Sequence, residues 1–188
     1  MNCPLAVARN IADAILGTDE PADAVASPAR LAVDRAVRKL IAAASFHWTL
    51  LTLTAFREDA TQPTMMVGLD AVGRIMLFYN PEFVLSLTEQ ECCGVLVHEI
   101  NHLLFEHVAG PPETRNASRR AEDRVAHEAT AWLLATECTA NEFIAFPLPG
   151  EPITIEQLKL MPGESTLQRY AKLRKKAKLP NLSQGCVV

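Results

Sequence analysis

Residues 88–104 read TEQECCGVLVHEINHLL. Thr88 with Glu91 three residues later is a capping box and marks a helix start. Val95, Leu96, Val97, Ile100, Leu103 and Leu104 then give the segment the apolar density of a helix packed into a core. Inside it, His98-Glu99-Ile100-Asn101-His102 places two imidazoles at i and i+4, on one helical face, where both can direct a ring nitrogen at a single metal ion. Glu99 stands beside the first of them, where a carboxylate can reach a water at the metal without itself occupying the metal.

Five His and fifteen Glu in 188 residues would produce H-E-x-x-H by chance in roughly one chain in a hundred of this composition. The apolar flanks make chance a poorer explanation still, because buried charge without a partner is expensive. The helix is expected to run to about Ala109, where Gly110-Pro111-Pro112 must stop it. His107, on a helix continuing that far, lies about 140° around the axis from His102. It is therefore expected not to share the ion, but to act behind the ligands or as a cation at the helix end. A metzincin site is excluded, since it needs a glycine where Phe105 stands and a histidine where Val108 stands.

A third ligand is then expected from an acid on the next helix, and Glu122, Asp123, Glu128, Glu137 and Glu142 are the candidates. Matching levels across an antiparallel helix pair favours Glu128, but helix spacing alone leaves the choice open.

Outward from this segment, Ala-rich helices are expected over about 5–16 and 28–44, with GTDEPADAVASP between them. TLLTLTAF, just after Trp48, has strand texture. MMVGL (65–69) and RIMLFY (74–79) flank Asp70-Ala71-Val72-Gly73, a hairpin connection. Asn80-Pro81 then signals a turn before the metal helix. Beyond a polar loop, a long helix is expected from Arg119 to about Ile144, and a shorter one over 165–178. The expected organisation is one domain over 1–188: helices in 1–45, a small sheet in 46–80, the catalytic helices in 81–145 and a helical tail in 146–188. Its fold class is α+β, mostly helical with a small antiparallel or mixed sheet.

Lys and Arg number 18 against 22 Asp and Glu, a net charge of −4, and this mild acidity argues against a general nucleic-acid binder. Cys3, Cys92, Cys93, Cys138 and Cys186 form no Cys-x-x-Cys pair, and an odd count reads as reduced thiols of the cytoplasm. Cys92 and Cys93 are adjacent and point to different faces, so buried thiols are expected rather than a thiolate site. Neither a signal peptide nor a membrane span is expected, because Arg9 and Asp13 interrupt the first apolar stretch and Leu40–Phe56 is too polar and too short to cross a bilayer. A chain of this length can build a sizeable core, so a metal is expected to serve chemistry rather than folding. His47 and His127 are expected to be structural, and the Lys172–Lys178 run to be a solvated face.

The stretch from Phe78 to about Asn141 resembles the bacterial metallopeptidase domain, zincin-like with H-E-x-x-H, that stands in front of a von Willebrand A-like domain. Tyr79-Asn80-Pro81-Glu82-Phe83-Val84 followed by Leu87-Thr88 matches its entry. His98-Glu99-x-x-His102 with the further His107 matches its first helix, and Trp132-x-x-Ala135-x-Glu137-x-x-x-Asn141 matches its second. By that resemblance Glu137 is the third ligand, where the family more often has Asp. The resemblance implies a zinc endopeptidase with one catalytic ion on His98, His102 and Glu137 and with Glu99 as general base. His107, Tyr79 and Asn141 would serve behind the ligands or toward the substrate, and the strand ending at Tyr79 could be a sheet edge that aligns a peptide. The length fits the metallopeptidase unit alone, so a stand-alone version is expected, acting on a protein substrate with any regulatory partner supplied by another chain. The alternative is a non-catalytic, zinc-stabilised module that binds a partner in an ATPase-linked assembly. The intact Glu99 argues against it, since a structural site needs no base.

Overall fold

A computed structural model describes residues 26–70, 72–111 and 122–180. Among them, seven α-helices and a three-stranded mixed sheet make an α+β architecture. The expected first helix (5–16), Cys3 and Cys186 lie outside the described residues. The chain divides into two compact units, up to Ile100 and from Asn101.

In the first unit, α1 (Pro28–Ala43) starts where Ser27 accepts from the Arg30 amide, with Pro28 in the first turn. Its buried residues Ala29, Val33, Ala36 and Leu40 recur at helical spacing. The strand expected straight after Trp48 starts only at Ala55, and Ser45–Thr52 form a second helix, α2. The threonines that suggested a strand bond back onto helical carbonyls: Thr49 Oγ1 donates to the Ser45 carbonyl at 3.0 Å and Thr54 Oγ1 to that of Leu50 at 3.0 Å.

Strands follow at β1 (Ala55–Glu58), β2 (Met65–Leu69) and β3 (Ile75–Tyr79). β2 and β3 form the expected antiparallel hairpin, with Val67 opposite Leu77. Asp70 Oδ1 accepts from the Val72 and Arg74 amides, and Gly73 takes φ +83, so the turn sets the register. β1 lies on the other side of β3 and runs parallel to it, with Phe56 opposite Leu77. The sheet is therefore mixed in the order β1-β3-β2. The strand ending at Tyr79 is its centre, which corrects its reading as an edge: both of its sides are already hydrogen-bonded, and β1 and β2 are the edges.

Asn80 caps α3 (Pro81–Ser86) through Oδ1, and α4 (Glu89–Leu104) opens on the expected box, with Glu91 Oε2 accepting from the Thr88 amide and Thr88 Oγ1 from that of Glu91. The unit boundary falls within this continuous helix. α4 stops at Leu104, short of Ala109. Glu106 takes the left-handed conformation (φ 58), and His107–Ala109 form a 3-10 turn.

In the second unit, α5 (Glu122–Glu142) is the long helix. α6 (Ile155–Leu158) and α7 (Thr166–Leu173) each start on a full capping box, Thr154 with Gln157 and Ser165 with Gln168. Ala131, Leu134, Ala135 and Cys138 of α5 pack with Ile153, Leu158, Tyr170 and Leu173 in one core. Arg169 is fully buried there, donating to Thr139 Oγ1 at 3.0 Å, to Glu142 and to the Met161 carbonyl. Among the described residues, no helix is long and apolar enough to cross a membrane.

Candidate metal centre

α4 is apolar enough to be buried on most of its circumference: Val95, Leu96, Val97 and Ile100 are all 2 % exposed or less. That burial carries His98 and Glu99 inside with them, while His102, one turn on, is half-buried. In the second unit the end of α4 is held to α5 by Asn101, whose buried Nδ2 donates to the Ala140 carbonyl at 2.9 Å. The same helix brings Glu137 to His102, with Nε2 and Oε1 3.5 Å apart. Ligands held tetrahedrally at about 2.0–2.2 Å from one zinc ion stand roughly 3.4 Å from each other, so this pair already has the separation of two ligands. One donor atom from each of His98, His102 and Glu137 lies within 4.8 Å of the others.

The chemistry of the set agrees with its spacing. Two imidazoles and one carboxylate suit a borderline cation and leave a coordination position for water. Burial pushes the Glu137 carboxyl up to about 8, because its charge lacks the solvation it has in water. A cation between these groups would restore the ionised form, so the residues fit a metal ion.

Glu99 is held differently. Its Oε2 accepts from the backbone amide of Val67 at 2.8 Å, in a buried contact with strand β2. That amide points outward from the hairpin because β2 is an edge strand. The carboxylate next to the first histidine is thus fixed to the sheet.

Behind His102 stands His107. The early end of α4 and the left-handed Glu106 turn the chain back, and His107 Nδ1 comes to 3.0 Å from His102 Nδ1. Its other nitrogen, Nε2, is 2.8 Å from the hydroxyl of Thr166 at the start of α7. Trp132 of α5 meets the His107 ring edge-on, and Phe105 lies at a tilt to it, with centroids 6.2 and 5.7 Å away.

With this geometry in place, a comparison of the sequence with protein-family models matched residues 29–179 to the family described as "Putative metallopeptidase domain". The chain belongs to that family. No curated protein and no solved structure matched it.

The metallopeptidase domain treats the remaining acids in several ways. Glu128, which level-matching favoured, is buried against Arg174, 3.4 Å from its guanidinium, while Glu137, one span further along α5, is the acid beside His102. Glu142 receives Arg169 and the Gly163 amide. The side chains of Glu122 and Asp123 lie outside the described residues. Asn141 Nδ2 donates to the Ile153 carbonyl, which ties α5 to the segment before α6. Tyr79 is buried in the sheet with its hydroxyl donating to Glu58. Cys92, Cys93 and Cys138 are free, buried thiols, and burial raises all three; Cys92 reaches about 12 and Cys138 about 11. The His47 ring meets that of Phe46, its neighbour in sequence.

Three participants escaped the sequence reading. Asn101 was visible as the fourth letter of HEINH, but its partner is a backbone carbonyl on another helix. Val67 contributes an amide, which no side-chain pattern encodes. Thr166 was visible only as a residue following a capping Ser165, and its role arises from packing.

Proposed function

We propose that the chain is a zinc-dependent endopeptidase of the zincin type, with His98, His102 and Glu137 as ligands of one catalytic zinc ion and Glu99 as general base. The observation that carries this reading is the 3.5 Å separation of His102 Nε2 and Glu137 Oε1 on two different helices, with His98 in the same group. Membership of the metallopeptidase family supports it.

Bound there, zinc supplies Lewis acidity that lowers the pKa of a coordinated water to roughly 7 and polarises a carbonyl. The chain's own residues do the rest. Glu99 is one residue from a ligand, so its carboxylate takes the proton of the attacking water and passes it to the leaving amine. Oε2 accepts from the Val67 amide, which orients the group. Among the described residues β2 is an edge strand; its Val67 amide is held by Glu99, and its other outward backbone groups are where an extended peptide would pair by β-augmentation. The substrate is accordingly a protein or peptide chain, and any regulatory partner is a separate protein. Neither nucleic acid nor membrane is part of the function, and the buried reduced thiols suit the cytoplasm.

Cleavage of an unfolded protein substrate, abolished by a chelator and restored by zinc, tests the reading. Wild-type cleavage by His102→Ala would contradict it. A non-catalytic zinc module would bind a partner equally well with Glu99→Gln and cleave nothing.

A further inference from the structure

The contact between His102 and His107 joins two ring nitrogens, and such a hydrogen bond can run in only one direction at a time. If His107 donates, His102 Nδ1 holds a lone pair, and a neutral His102 must carry its proton on Nε2, the atom that faces Glu137. Such a ring cannot bind a metal through that atom. If His102 donates, Nε2 is free of the proton and can act as a ligand. The direction of one 3.0 Å contact therefore decides whether His102 is a ligand at all.

The far side of His107 has a partner that allows the second direction. Its Nε2 lies 2.8 Å from Thr166 Oγ1, and a hydroxyl oxygen can accept a proton there. A neutral His107 donating from Nε2 to Thr166 has only a lone pair on Nδ1, so it accepts from His102. Both His107 and Thr166 are buried, at 6 % and 7 % exposure, so water does not readily replace either partner. The ring also meets those of Phe105 and Trp132, and the Ser165–Gln168 capping box fixes where α7 starts.

We propose that His107 and Thr166 are positioning residues of the metal centre: Thr166 accepts from His107 Nε2, His107 Nδ1 accepts from His102 Nδ1, and His102 thereby presents its Nε2 lone pair to the ion. The C-terminal helix α7 is then part of the site, because its core packing on α5 delivers the hydroxyl that ends the chain of bonds. The inference rests on the ligand set above and adds to it two residues that do not touch the metal.

The test is zinc affinity, measured on the purified full chain by competition with a chelating dye. His107→Phe keeps a ring beside Phe105 and Trp132 but has no acceptor, and Thr166→Val is nearly isosteric but cannot accept. Each should weaken zinc binding, by about 10- to 100-fold for partners of this kind. His107→Asn, which can place an oxygen near the Nδ1 position, and Thr166→Ser should stay near wild type. Nitrogen-15 spectra of the zinc-loaded wild type should show protons on His102 Nδ1 and His107 Nε2. Thr166→Val exchanges one hydroxyl for a methyl of nearly the same size, and matching near-UV circular dichroism with the wild type checks its fold, so the test stands even where His107→Phe does not fold. Wild-type zinc affinity in Thr166→Val, or a proton on His107 Nδ1, overturns this proposal while the ligand set stands. Absence of zinc binding by the wild type overturns the ligand set and this proposal together.

Discussion

The Val67 amide donates to Glu99 Oε2 at 2.8 Å, so the acid of the HEINH segment is anchored to the edge strand of the sheet. A glutamine at position 99 retains a carbonyl oxygen that can accept the same bond, but it cannot take a proton. Glu99→Gln is therefore expected to fold and to hold zinc as the wild type does, with kcat down by roughly 10²- to 10⁴-fold, the usual worth of a general base. Zinc content by atomic absorption beside turnover of a peptide substrate checks it; full proteolysis with bound zinc would remove Glu99 from the mechanism.

Glu137 makes the metal-free protein sensitive to pH. Its carboxyl is raised by burial from 4.5 to about 8, so the folded state holds a proton that the unfolded state has already released between those values. Stability of the stripped protein is complete below about 4.5 and falls as pH rises, until the loss is full above about 8. Glu137→Gln removes that slope and should be the more stable metal-free form at pH 8.5, by up to roughly 5 kcal/mol at ~1.4 kcal/mol per pKa unit. Urea unfolding of both proteins in chelator at two pH values measures it. An equal pH dependence would show that the carboxyl is not buried as described. Zinc binding displaces the same proton, so wild-type affinity should fall as pH drops below 8.

Arg169 holds the second unit together at a point remote from the histidines. Its fully buried guanidinium binds Thr139, Glu142 and the Met161 carbonyl. Arg169→Ala leaves Glu142 half-buried without its cation, and should cost roughly 3–5 kcal/mol in urea unfolding. By contrast Lys172 pairs with Glu164 with its side chain half exposed, and Lys172→Ala should cost less than about 1 kcal/mol. Equal effects of the two changes would contradict the burial of Arg169.

The three described thiols should resist alkylation. Cys92, Cys93 and Cys138 are buried, and their raised pKa values leave little thiolate at pH 8. Peptide mapping after brief iodoacetamide treatment should find them unmodified in the native protein and modified in urea. Rapid native labelling of Cys138 would mean that the α5–α7 core is open.

The metal-helix start, the two histidines and the glutamate between them could be read directly, because capping chemistry and the i, i+4 rule act within one helix. The hairpin was legible for the same reason, as Asp70 and Gly73 act over a few residues. The departures all involve contacts between distant segments. Threonines at 49 and 52 favour strands on intrinsic preference, yet their hydroxyls bond to helical carbonyls here. β3 looked like an edge because nothing local announces that β1 returns beside it. His107 seemed turned away from His102 only while the helix was taken to continue; a left-handed Glu106 reverses that. Helix levels alone pointed to Glu128, since the angle and offset of a helix pair depend on packing that a count of residues does not contain.

Anomalous diffraction at the zinc edge from crystals of the zinc-loaded protein tests the central claim most directly. One peak is expected, bonded to a nitrogen of His98, to His102 Nε2 and to a Glu137 oxygen, with Glu99 close by but not bonded. A peak held by Glu128 or by Glu99 in place of Glu137, or no peak at these histidines, would contradict the account.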